Sequence, residues 1–207
     1  MPSNLAAEAT RIAAGDDRMH YDSVEIALHW TTAVFVASLW LIAQGWSFLA
    51  RGSSGRHVMQ NLHVSIGILF AVVVAARILW RLGPGRRPLP ATIGLVEVAS
   101  KIVHYALYAM LVTQVGLGFL WRWAQHESFT FFGLFAVPSP FEIAKTSSHF
   151  YGNLHALLGN GIMIVAALHA AAALFHHYVL QDDVLWRMLP GRHARHAEAA
   201  APDPRSA

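Results

Sequence analysis

Apolar residues run along this chain in four long stretches, separated by segments rich in charge, glycine and proline. The first covers about Ile26 to Leu49, the second about Val58 to Trp80, the third about Val98 to Trp121, the fourth about Phe150 to Leu180. A bilayer core about 30 Å thick is crossed by roughly 20 helical residues, so each stretch is long enough to span it. None contains Asp or Glu, and their only Lys or Arg are Arg77 and Lys101. The links agree with this reading. RGSSGR (Arg51–Arg56) is a short polar turn, and LGPGRRPLP (Leu82–Pro90) is full of helix breakers. The third link, from about Arg122 to His149, holds FTFFGLFAVPSPF, which is too short and proline-broken to span and is expected at the interface. Trp40, Trp46, Trp80, Trp121, Trp123, Tyr151, Tyr178 and Trp186 sit mostly near span ends, as an aromatic belt requires.

The pattern predicts an all-α fold, an integral membrane four-helix bundle over residues 21–190. A disordered lead (1–20) without the apolar core of a signal peptide precedes it, and a disordered polar tail (191–207) follows. Composition narrows the class. Charged residues make up 13% of the chain, about half the share of a soluble domain. The absence of Cys excludes disulfides, thiolate zinc sites, cysteine-held iron–sulfur clusters and thioether-linked haem. The excess of basic residues is mostly a topology signal. Arg11, Arg18, Arg81, Arg86, Arg87, Lys101, Arg187, Arg192 and Arg195 fall on one side, against Arg51, Arg56, Arg122 and Lys145 on the other. Both termini are therefore expected to be cytoplasmic in a multi-pass protein of a bacterial inner membrane. No basic patch on a soluble module points to nucleic acid.

Thirteen histidines in so apolar a chain need an explanation. Five fall inside the spans: His29, His63, His104, His155 and His169. Ionisable groups at that depth are costly and tend to mark function. His155 and His169 lie fourteen residues apart, about 21 Å of helical rise and close to four whole turns, so they point the same way from opposite ends of one helix. An alternating topology sets His63 opposite His155 near the outer side and His29 opposite His169 near the inner side. Two histidines at each of two levels is the arrangement that bis-histidine haem ligation needs. The residues four after each are Ala33, Gly67, Gly159 and Ala173, small enough for a flat macrocycle to approach. Arg77, fourteen residues after His63, shares its face at the inner level. With no carboxylate in the spans, a haem propionate would serve as its partner. His104 is a second candidate for that propionate. Zinc is disfavoured, because His155 and His169 cannot share one ion.

IALHW (Ile26–Trp30), NLHVSIGI (Asn61–Ile68) with Arg77 downstream, and ALHAAAALFHHY (Ala167–Tyr178) resemble the bacterial cytochrome b561 family. The resemblance covers about Tyr21 to Pro190 with the histidine spacings intact. It implies two b-type haems, ligated by His63/His155 and His29/His169, in a bundle that carries electrons across the membrane. It also implies oxidation of superoxide at the periplasmic face and reduction of ubiquinone. An alternative is a cytochrome anchor that passes electrons from a partner dehydrogenase or hydrogenase to the quinone pool.

Overall fold

The computed structural model describes residues 21–85, 88–90, 93–126 and 129–190. The expected disordered lead and tail, and with them Arg11, Arg18, Arg86, Arg87, Arg192 and Arg195, lie outside the described residues. Four long helices carry the apolar stretches: α1 (Ser23–Gly45), α2 (Ser54–Leu82), α3 (Leu95–Ala124) and α4 (Ser148–Phe175). All four are long and apolar enough to cross a membrane. They run up and down in sequence, so that both ends of the described chain lie at one end of the bundle, here the terminal end. The opposite end carries the α1–α2 and α3–α4 links and is the hairpin end.

Helix starts are set by local chemistry. Asp22 caps α1 by accepting from the Glu25 N–H at 2.8 Å, and Ser53 caps α2 by accepting from the Arg56 N–H; each satisfies an N–H that the helix leaves open. Asp22 also accepts from Trp80 Nε1 at 3.0 Å. Arg81 pairs with the buried Glu25 at 3.1 Å. The start of α1 is thereby fastened to the end of α2.

α1 packs chiefly on α2 and α3 on α4, giving two helical hairpins that face one another more loosely. Between them lies a compact apolar layer of Phe70, Val74, Leu111 and Ile162, with Phe35 stacked on Phe70 at 5.8 Å. Outward positions stay apolar: Leu79 is 68% and Leu168 65% exposed, which suits lipid rather than water.

The α3–α4 link folds into a small hairpin, β1 (Thr130–Phe131) with β2 (Phe135–Ala136), with Phe131 opposite Phe135. Its turn passes through Phe132 and Gly133, both at positive φ (47° and 76°), where glycine costs nothing. The link does not lie apart from the bundle. Ser65, fully buried on α2, accepts from the Phe132 N–H at 2.9 Å and so fastens the hairpin two residues beyond His63. Phe129 is buried beneath it. Ser65→Ala leaves that N–H without its acceptor and is expected to cost about 1 kcal/mol. Faster proteolysis of the 129–137 segment, with the helices intact, is the measurement that checks it.

At the terminal end α4 finishes in a π-helical turn, His176–Leu180. The chain reverses at Gln181 (φ 55°) and returns over α1, where Met188 O accepts from Trp30 Nε1 at 2.7 Å. His176 Nδ1 donates to Asp182 at 2.5 Å across the reversal. Desolvation, the largest single influence, pushes the Asp182 carboxyl up, but its hydrogen bonds from His176 and the Val184 N–H, with the nearby positive charge, together outweigh it and hold the carboxyl below its ordinary value.

Candidate functional site

The chemistry-bearing side chains collect at two levels of the bundle. At the hairpin end, His63 on α2 and His155 on α4 face each other with ring centres 6.2 Å apart. Each ring donates Nδ1–H to a carbonyl of a neighbouring helix: His63 to Leu39 O at 3.1 Å, His155 to Gln114 O at 3.2 Å. A carbonyl only accepts, so Nδ1 carries the proton in both rings and the Nε2 lone pair is left for a metal. Trp46 and Trp121 wall the pair, with ring centres 5.2 Å from His63 and 5.8 Å from His155 respectively.

Beside these rings lies a cavity of about 410 Å³, lined by His63, His155, Gly67, Gly118, Gly159 and Phe129 among others. That volume is within the usual range of cofactor sites, about 300–1,000 Å³. A Cβ built at Gly67 would meet no atom within 4 Å, so open space faces it.

At the terminal end, His29 on α1 and His169 on α4 stand 6.3 Å apart. The heptad spacing His155, Ile162, His169 puts the buried Ile162 midway between the two levels, so the apolar layer separates them. His104 lies at the same level, its ring 5.1 Å from that of His169. Its Nδ1–H is donated one turn back to Ser100 O at 2.7 Å. Among the described residues no cluster of three or more His, Cys, Asp or Glu is arranged to hold a single metal ion.

Arg77 reaches into the same space, and its partners are not carboxylates. Nη2 donates to His29 Nδ1 at 3.0 Å, Nε donates to Tyr108 OH at 3.1 Å, and the guanidinium lies over the Tyr108 ring. The carboxylate absent from the apolar stretches is supplied just outside them by Glu25, which is taken up by Arg81 rather than Arg77. Glu25 precedes His29 by one helical turn, as Arg81 follows Arg77; that parallel spacing was the signal in the chain. Tyr108 and Gln114 carry no motif and emerge only from packing. Two of the four cations assigned to the outer side serve the loops: Arg56 donates to Trp46 O and Leu49 O, and Arg122 donates to Gln125 and lies over Phe129.

Fold and site together define a membrane-spanning helical protein with facing histidines at two depths. The chain belongs to the prokaryotic cytochrome b561 family, whose model, described as "Prokaryotic cytochrome b561", matches residues 20–191. It is 32% identical to "Cytochrome b561 homolog 2" of Escherichia coli over 82% of this chain and 90% of that one. It is also 32% identical to "Probable superoxide oxidase CybB" of Yersinia pestis, over 82% and 96%. To "Cytochrome b562" of Cereibacter sphaeroides it is 27% identical, over 83% and 96%. The family is one of membrane electron-transfer cytochromes that bind b-type haem.

The residues fit such a group. In both pairs the facing rings stand far enough apart, 6.2 and 6.3 Å between centres, to admit one metal ion between them. The hairpin-end pair also has its free Nε2 lone pairs and its cavity. At the terminal end, ligation through His29 Nε2 requires Arg77 to turn from Nδ1 to another acceptor, a movement its long side chain permits.

Proposed function

We propose that this protein carries electrons across a bacterial inner membrane through two b-type haems, oxidising superoxide at the periplasmic face and reducing ubiquinone. His63 and His155 would hold the outer haem, and His29 and His169 the inner one. The observation that carries the reading is the pair of facing histidines at two depths, 6.2 and 6.3 Å apart, separated by an apolar layer. The hairpin end is the periplasmic end, and both termini are cytoplasmic, as the basic residues beside the spans indicate. Superoxide as donor is supported by the name of the Yersinia pestis relative, and ubiquinone by the family resemblance of the motifs.

When bound, the haems supply one-electron oxidation and reduction between the two faces. The chain's own residues do the rest. Leu39 O and Gln114 O fix the ring orientation and basicity of the outer ligands. The apolar layer excludes water between the levels. Arg77 would hold a propionate of the inner haem while keeping its bond to Tyr108, and His104, beside His169, is placed to border the same group. Arg51, Arg56, Arg122 and Lys145 make the outer face attractive to a small anion. The balance is two superoxide plus one ubiquinone plus two protons, giving two dioxygen and one ubiquinol. His104, His176 and His177 are the candidate proton donors on the inner side.

The test is the purified, haem-loaded protein in detergent with ubiquinone and a steady source of superoxide. Superoxide loss and ubiquinol formation in a two-to-one ratio, absent from a heat-inactivated control, is the expected result. Haems that superoxide fails to reduce, but that a membrane dehydrogenase or hydrogenase reduces, would replace this reading with that of an anchor subunit.

A further inference from the structure

Gln114, on α3, meets His155 of α4 twice. Its backbone carbonyl accepts the His155 Nδ1–H at 3.2 Å, and its side-chain Nε2 donates to the His155 carbonyl at 3.0 Å. Two glycines make room for this exchange. A Cβ at Gly159 would stand 3.0 Å from Gln114 Nε2, and one at Gly118 would stand 3.2 Å from His155 Cε1. The first would push the amide away and the second the ring itself. His63 has only the backbone half of such an arrangement, through Leu39 O. The amide oxygen, Oε1, is buried on the cavity wall and has no hydrogen-bond partner among the described residues.

We infer that Gln114 is a positioning residue of the outer haem, a reciprocal clamp that fixes the rotation and basicity of the ligand His155. The inference rests on the assignment of His63 and His155 as that haem's ligands. The amide holds α3 and α4 in register at the ligand's own level, so the Nδ1–H to carbonyl bond is kept from opening further. A ligand held this way is a stronger electron donor and favours the oxidised metal. Gln114 touches no reacting atom, and its effect passes through His155.

Gln114→Leu keeps the volume, removes the donor and also removes the unmatched acceptor, so the bundle is expected to fold. The inner haem serves as the internal control for folding. In wild type and variant, haem content, the low-spin electron paramagnetic resonance signals and the two midpoint potentials are measured on the full protein. The expected result is two haems in both, an unchanged inner signal and potential, and an outer signal that shifts and broadens with a more positive outer potential. Gln114→Asn, which keeps the amide but shortens its reach to the His155 carbonyl, is expected to move the outer signal and potential in the same direction. Outer signals and potentials matching wild type in both variants would overturn the inference. So would equal disturbance of both centres, which marks a merely structural residue. A wild-type protein holding one haem would overturn the ligand assignment, and this inference with it.

Discussion

Replacing His63 or His155 by alanine is expected to halve the haem content, removing the outer group and leaving the inner one, and replacing His29 or His169 is expected to do the reverse. Each substitution takes away one of two facing imidazoles and leaves the other without an opposing ligand at 6.2 or 6.3 Å. The levels are independent because about 21 Å of helical rise separates His155 from His169, and the layer of Phe70, Val74, Leu111 and Ile162 lies between them. Sites so far apart with no shared partners add rather than couple. Loss of the outer group should abolish reduction by superoxide while dithionite still reduces the remaining haem. Haem-to-protein ratios with reduced-minus-oxidised spectra decide it. If any one replacement emptied both levels, or neither, the pairing would be wrong.

Arg77→Leu is expected to lower the midpoint potential of the inner haem and leave the outer one where it was. The Arg77 guanidinium lies within 3.0 Å of His29, so it places a fixed positive charge at the level of the His29/His169 pair. A cation there opposes the additional positive charge of the oxidised iron, and removing it favours oxidation. For unit charges roughly 8 Å apart at an effective dielectric of about 20 the interaction is on the order of 2 kcal/mol, which sets the scale of the shift. Arg77→Lys keeps the charge but not the fork that would serve a propionate and Tyr108 together, so it should recover most of the potential and less of the haem affinity. A redox titration resolving both haems provides the measurement, and an inner potential indifferent to the loss of charge would remove Arg77 from this role.

Much of the architecture is legible in the chain because a bilayer imposes so simple a rule. Each span must be apolar, about twenty residues long and free of unpaired charge, so Ile26–Leu49 and its three counterparts announce themselves, and the helices extend them by a few residues at most ends. Those extensions hold what hydropathy overlooks. Glu25 sits one residue before the first apolar stretch, and Glu97 one residue before the third, yet both lie in helices and both are paired with cations. The α3–α4 link shows the limit more sharply. Its proline and aromatic content excludes a span, but a two-by-two-residue hairpin held by the Ser65 hydroxyl is a tertiary event with no local signature.

The sequence alone determined the number of spans, the histidines that share a helix face, and the two levels at which they stand, because a helix converts residue number into height and direction at fixed rates. It could not determine distances across helices. That His63 faces His155 at 6.2 Å, that Arg77 leans on His29 and Tyr108, and that Gln114 reaches across to the backbone of His155 depend on how the two helical hairpins pack. Gly118 and Gly159 leave the room for those contacts at the level of His155, and neither has meaning until the opposing helix is in place. Periodicity is a property of one helix; a binding site is a property of the space between several.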